Sequence, residues 1–146
     1  IAGSRFFGNW VAVSAVDSIG TTTALTVSNS VASGNTWGFG AFESHGGTIA
    51  FSVIDSVASG NGIGIDAAGA SGTIKASVSN SLVAGNGNGM RALGANTRLS
   101  AGGNTVTRNT FGFYIDSGGV IQSAGNNTVR NNATNALGSL TPQPTL

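Results

Sequence analysis

Few residues in this chain could do chemistry. Its five carboxylates are Asp17, Glu43, Asp55, Asp66 and Asp116, and they stand with six Lys or Arg, one His and one Tyr among 146 residues. Glu43 and His45, close together in Phe42-Glu43-Ser44-His45-Gly46-Gly47, would suit general acid–base work or supply one pair of metal ligands. Tetrahedral zinc wants further nitrogen or sulfur ligands, and the chain has no Cys and no second His. The loop therefore reads as a solvated turn. Gly60-Asn61-Gly62-Ile63-Gly64 and Gly85-Asn86-Gly87-Asn88-Gly89 resemble phosphate loops, but no Lys follows and no strand-to-helix context frames them. The regular Gly-Gly-x-Gly-x-Asp series of a calcium-binding β-roll is missing as well. No catalytic residue, metal site or cofactor is assigned.

The strongest constellation is Asp66, Arg91 and Tyr114. Each falls five residues after a recurring Asn, at 61, 86 and 109, so the three are expected one above another on an outer face. Two readings follow. The favoured one is structural: an exposed ion pair contributing at most about 1 kcal/mol, beside an aromatic ring. The other is a shallow saccharide groove in which Tyr114 offers a stacking surface and the charges bond to hydroxyl groups.

The elements that would position these residues come from a repeat. Ser30-Val31-Ala32-Ser33-Gly34-Asn35 returns as Ser56-Val57-Ala58-Ser59-Gly60-Asn61 and as Ser81-Leu82-Val83-Ala84-Gly85-Asn86. Degenerate copies, Thr105-Val106-Thr107-Arg108-Asn109 and Thr128-Val129-Arg130-Asn131-Asn132, follow, and a partial copy ends in Gly8-Asn9. Subtracting successive Asn positions (9, 35, 61, 86, 109, 132) gives intervals of 26, 26, 25, 23 and 23. A period that drifts by a few residues implies fixed strands joined by adjustable turns.

Three residues after Asn35, Asn61, Asn86 and Asn109 stand Gly38, Gly64, Gly89 and Gly112, each followed by an apolar residue. These glycines read as turn residues, supplying backbone angles a side chain would forbid. Leu25 and Val27, Phe51 and Val53, and Ala76 and Val78 alternate with Thr26, Ser52 and Ser77, the period of a strand with one buried face. Helical spacing is absent. Val31, Val57, Leu82, Val106 and Val129 are expected to stack as one aliphatic column. Asn35, Asn61, Asn86, Asn109 and Asn132 are expected to form a ladder of side-chain amides, a structural role preferred over a sugar-binding row.

These observations specify an all-β, right-handed parallel β-helix, a β-solenoid of about six coils of 22–26 residues. Coils about 4.8 Å apart pair their strands above and below and join their apolar edges into one core. Each buried Val or Leu contributes roughly 1.5–3 kcal/mol, enough in columns to offset the ordering of a Gly-rich chain. Residues 1–140 read as a single domain with an incomplete first coil, and 141–146 as a tail whose prolines end the stack. Phe6, Phe7 and Trp10 gather in that first coil, while Trp37 and Phe111, two residues after their Asn, are expected in the core or a self-association surface.

Composition agrees. Gly is 24 of 146 and only 8% of residues are charged, yet 40% are hydrophobic, which contradicts disorder. A net charge of +1 offers no basic patch, so nucleic acid is not an expected partner. The apolar runs are too short for a membrane span. The chain opens at Ile1 in mid-pattern, which reads as processing or excision from something longer.

The motif Asn-Ser-Val-Ala-Ser-Gly-Asn-x-x-Gly-Phe/Ile, at Asn29 to Phe39 and again, with Asp first, from Asp55 to Ile65, resembles bacterial right-handed parallel β-helix proteins of the pectate-lyase-like superfamily. The stretch Ser117 to Thr128 followed by Ala136 to Leu146 looks like the C-terminal end of small secreted members of that group. The resemblance implies the C-terminal portion of an exported, extracellular or periplasmic protein. The acidic clusters and Asp-Asp, Gly-His-Gly, Arg-Ile-Lys or Asp-Pro-His motifs of polysaccharide-cleaving relatives are not in this sequence, so no active site is carried over. The reading favoured is a non-catalytic structural or self-associating solenoid, a homo-oligomer through exposed coil ends or faces. The alternatives are an extracellular glycan-binding module with a polysaccharide partner, or the non-catalytic end of a polysaccharide lyase or hydrolase.

Overall fold

A computed structural model of the protein describes residues 1–143. Eighteen strands follow one another, three to a coil. The first coil holds β1 (Arg5–Phe7), β2 (Val11–Val16) and β3 (Thr22–Ser28); the second β4 (Val31–Ser33), β5 (Trp37–Glu43) and β6 (Thr48–Ile54). The third holds β7 (Val57–Ser59), β8 (Ile63–Gly69) and β9 (Thr73–Ser79); the fourth β10 (Leu82–Ala84), β11 (Asn88–Leu93) and β12 (Thr97–Gly102). The fifth holds β13 (Thr105–Thr107), β14 (Phe111–Asp116) and β15 (Val120–Ser123); the sixth β16 (Thr128–Arg130), β17 (Thr134–Leu137) and β18 (Thr141–Pro142). Every third strand pairs in parallel, giving three six-stranded sheets, and the chain is an all-β parallel solenoid.

The core is a set of vertical columns. Val13, Phe39, Ile65, Met90 and Phe113 share one place in the second sheet, with Ala136 at its far end. Leu25, Phe51, Ala76, Leu99 and Ile121 share one place in the third. The polar residues between them face out, as the alternation of Thr26, Ser52 and Ser77 with apolar neighbours requires.

The aliphatic column of the first sheet differs from expectation. Leu82 pairs with Thr105, not Val106, and Val83 pairs with Val106. The inward column is therefore Phe6, Ala32, Ala58, Val83, Val106 and Val129, whereas Val31 and Val57 lie half-buried on the outside and Leu82 is 36% exposed. The fault lies in the degenerate copies, because Val106 precedes its Asn by three residues (109 − 106) and Leu82 precedes its Asn by four (86 − 82). A slip of one residue moves a side chain to the other face.

The drift in repeat length falls mainly at the turn from second sheet to third. Phe42, Ala68 and Leu93 share one place, and Ile49, Ile74 and Thr97 share another. The separations across the turn are seven, six and four residues (49 − 42, 74 − 68, 97 − 93). The first-sheet segment between the two other corners is constant, since an internal Ser or Asn at 30, 56, 81, 104 and 127 stands five residues before the ladder Asn at 35, 61, 86, 109 and 132, and only the last passage from third sheet to first is longer, by one residue (127 − 123 against 104 − 101).

These two corners turn on left-handed residues. Gly34, Gly60 and Gly85 precede the ladder Asn with φ of 67, 62 and 67°, and Arg108 and Asn131 hold the same place at 56 and 58°. Gly38, Gly64, Gly89 and Gly112 work differently, since none has positive φ. A Cβ on Gly64 would sit 2.7 Å from the carbonyl oxygen of Gly89, and one on Gly112 2.6 Å from that of Asn135. These glycines admit the close approach of the next coil and of its Asn amide.

Thr141 and Pro142 extend the third sheet by one short edge strand against β15, and Gln143 N–H donates to Ser123 O at 2.9 Å. Pro142 sits where sheets accept proline, on an edge. The expectation for the rest of the tail, Pro144 to Leu146, lies outside the described residues.

Candidate functional site

The ladder Asn residues stand at the corner between first and second sheets, Asn35, Asn61, Asn86 and Asn109 buried and Asn132 half-buried. Asn35 N–H and Nδ2 both donate to Asn61 Oδ1 (2.9 and 3.0 Å), Asn61 repeats this on Asn86, Asn86 on Asn109, and Asn109 on Asn132. Each Nδ2 also reaches a main-chain carbonyl, as Asn61 does to Ala32 O at 3.0 Å. Asn9 is the first rung, donating to Asn35 Oδ1 at 2.8 and 3.2 Å. From Asn35 to Asn109 every side-chain amide is engaged inside the stack as donor and acceptor, leaving no row of amides facing outward for a sugar.

A second ladder at the corner between third and first sheets escaped the sequence reading. Ser4, Ser30 and Ser56 N–H donate to Ser30, Ser56 and Ser81 Oγ at 3.2, 3.2 and 3.1 Å. Asn104 then takes over, accepting from Ser81 N–H at 3.0 Å, and its own N–H and Nδ2 donate to Asn127 Oδ1, both at 2.9 Å. The constant five-residue offset from each ladder Asn was the signal.

The third corner belongs to two carboxylates. Asp17 accepts from the N–H groups of Ser44, His45 and Gly47 at 3.0, 3.1 and 3.1 Å, and His45 Nδ1 lies 3.5 Å from its Oδ1. Glu43, one coil on, accepts from Gly46 and Ser71 N–H at 2.6 and 2.9 Å and from Gly72 N–H. Both acids stand eight residues after a ladder Asn (17 − 9, 43 − 35). Burial pushes the Asp17 carboxyl up, but the donors from Ser44, Gly47 and His45 outweigh it and hold the group at about 2. The Glu43 carboxyl is likewise lowered, burial and the nearby Asp17 being overcome by Gly72, Ser71 and Gly46. The turn at 42–47 is therefore not simply solvated: its His45 is exposed, while Glu43 is buried and ties two coils together.

Asp66, Arg91 and Tyr114 do share one column of the second sheet, between Gly40 and Leu137. Arg91 Nε and Nη2 grip Asp66 Oδ1 and Oδ2 at 2.8 and 2.7 Å in a two-pronged pair. The pair is not the exposed one expected. Asp66 is fully buried and the Arg91 side chain only 21% exposed. Burial pushes the Asp66 carboxyl up against the pull of Arg91, and Asp66 in turn raises the Arg91 guanidinium. With both oxygens held, Asp66 cannot serve as a free base.

Aromatic rings flank this pair on the outside of the sheet. Trp37 and Phe111 lie in a half-buried outer column with Val11, Ile63 and Asn88, not in the core. Trp10 packs edge-on to Trp37 at 5.1 Å, Trp37 to Phe42 at 6.4 Å, and Phe111 to Tyr114 at 5.5 Å. Chemically the face offers ring surfaces and one partly open guanidinium. Among the described residues no three His, Cys, Asp or Glu gather as a metal cluster, and no helix is long and apolar enough to cross a membrane. No family model, curated protein or solved structure matches the chain.

Proposed function

We propose that this chain is a non-catalytic structural β-solenoid that associates with copies of itself. The observation that carries the reading is large apolar side chains left exposed on the described stack. Phe7, Trp10 and Val16, on or beside β1 and β2, are 59, 72 and 54% exposed, and Leu82 in the fourth coil is 36% exposed. Large exposed apolar side chains mark a surface that another chain can cover. Secretion, a right-handed winding and descent from bacterial pectate-lyase-like proteins complete the proposal, supported by the repeated motif and by the handedness rule for parallel crossovers. Sedimentation velocity over a wide concentration range tests it: the weight-average mass should climb with concentration, and a single monomeric species throughout overturns the reading.

A glycan-binding face is a second reading, favoured by Trp37, Phe42, Phe111 and Tyr114 around Arg91. Sugar rings stack on such surfaces while a guanidinium bonds to their hydroxyl or carboxylate groups. Binding to pectin, alginate or neutral glycans should then weaken at least tenfold in Tyr114→Ala. Equal retention of both proteins rejects this reading. It would also fit the non-catalytic end of a polysaccharide lyase or hydrolase.

A further inference from the structure

The second sheet is apolar on both sides. Its inner face builds the core, yet Trp37, Phe42, Ile63, Leu93, Phe111 and Tyr114 stand half-buried on the outside of the second to fifth coils. The outer face of the third sheet, by contrast, carries Thr48, Ser52, Lys75, Ser77, Arg98 and Ser100. Strands of a parallel sheet read as apolar throughout where both faces are covered. Both tryptophans of the chain, its one tyrosine and two of its seven phenylalanines lie on or beside this one outer face.

We infer that a second copy of this chain covers the outer face of the second sheet in a two-fold pair. The inference rests on the self-association proposed above and assigns it to one face. Area supports it: six parallel strands about 4.8 Å apart, mostly of six or seven residues at about 3.3 Å each, give roughly 500 Å² of flat face per copy. Two such faces bury roughly 1,000 Å², the size at which a specific interface begins, before the relief of the side chains is added. Charge supports it too. Asp66 is neutralised within the face by Arg91, and the charges left open are the free side of Arg91 and, one coil on in the neighbouring outer column, the exposed Asp116. A two-fold contact is self-complementary, so one axis sets Arg91 of each copy against Asp116 of the other. Trp, Tyr and Arg are also the residues enriched where interfaces bind most tightly. A sugar fits the face less well, because it stacks on rings laid flat, and here neighbouring rings turn edge-on to one another at 67, 85 and 75°.

Because both tryptophans lie at this face, their emission reports whether it is covered. As sedimentation equilibrium shows monomer passing to dimer, the emission should shift to shorter wavelength and acrylamide quenching should fall in step. Phe111→Ser and Asp116→Arg should each raise the dimer dissociation constant at least tenfold, and Lys75→Ala, on the third sheet, should leave it unchanged. Far-UV dichroism and thermal melts matching the parent show that a variant is folded. Asp116 is exposed at the end of β14, so its variant carries the test if Phe111→Ser does not fold. Association with unaltered emission, and with an unaltered constant in the folded variants, overturns this face while self-association stands. A monomer at every concentration overturns both, and retention of that monomer on a glycan column then gives the face to sugar.

Discussion

Asn61 gives both its main-chain N–H and its side-chain amide to a single oxygen, Asn86 Oδ1, at 2.9 and 3.1 Å, while its own Oδ1 receives the same pair from Asn35. Replacing one middle rung therefore strands groups in the coil before it. In Asn61→Ala the buried N–H of Asn35 and the carbonyl of Ala32 both lose their partner, at about 1–3 kcal/mol for each buried group left unpaired. We predict a loss of about 3 kcal/mol in urea unfolding. Asn9→Ala, at the exposed first rung where Oδ1 accepts nothing, should lose less than about 1 kcal/mol.

Two kinds of glycine should respond differently. Gly60→Ala meets no atom closer than 4.0 Å and is opposed only by its φ of +62°, so it should cost about 1–2 kcal/mol. Gly64→Ala puts a Cβ 2.7 Å from Gly89 O and 2.9 Å from Asn86 Nδ2, with rigid backbone on the other side. The coils must move apart, and thermal unfolding of this variant should show the larger loss, about 3 kcal/mol or more, as severe overpacking does.

Acid should loosen the corner between second and third sheets. Asp17 is held at about 2, below its ordinary 3.8, so its contribution is complete above about pH 4 and disappears as pH falls toward 2. Glu43 is lowered too and adds in the same direction. Unfolding free energy measured from pH 6 to pH 2 should fall, and Asp17→Asn should be less stable at pH 6 with a shallower fall. A parent protein equally stable at both ends contradicts the clamp.

Arg91→Leu should be among the most damaging changes on the outer face, by about 3–5 kcal/mol at pH 7, because it leaves the buried Asp66 carboxylate without its partner. Adding Asp66→Leu should restore much of that loss, since an apolar pair of similar size replaces a buried ion pair at little cost. A double-mutant cycle in urea reads the coupling. Additive losses would show that the two side chains act independently.

How much of this was legible in sequence depends on whether a residue's role is repeated. The Asn spacing, the alternation in the long strands and the stacking of Asp66, Arg91 and Tyr114 all follow from a period, and a period survives without coordinates. The first-sheet column did not survive, because a three-residue strand offers too little alternation to resist a one-residue error when Gly gives way to Arg108 or Asn131. The Ser and Asn residues of the second ladder were hidden by their change of type between Ser81 and Asn104.

The sequence alone determined that this chain stacks, since identical hexapeptides with one buried face each can bury it only against one another. It also determined where the amides line up. Only the tertiary structure decided which way each single residue faces and what it touches: that Asp17 and Glu43 are clamps, that Asp66 is sealed beneath Arg91, that Gly64 yields space and not angle. Those are matters of distance between coils some 25 residues apart, and distance is set by the packing of the whole stack.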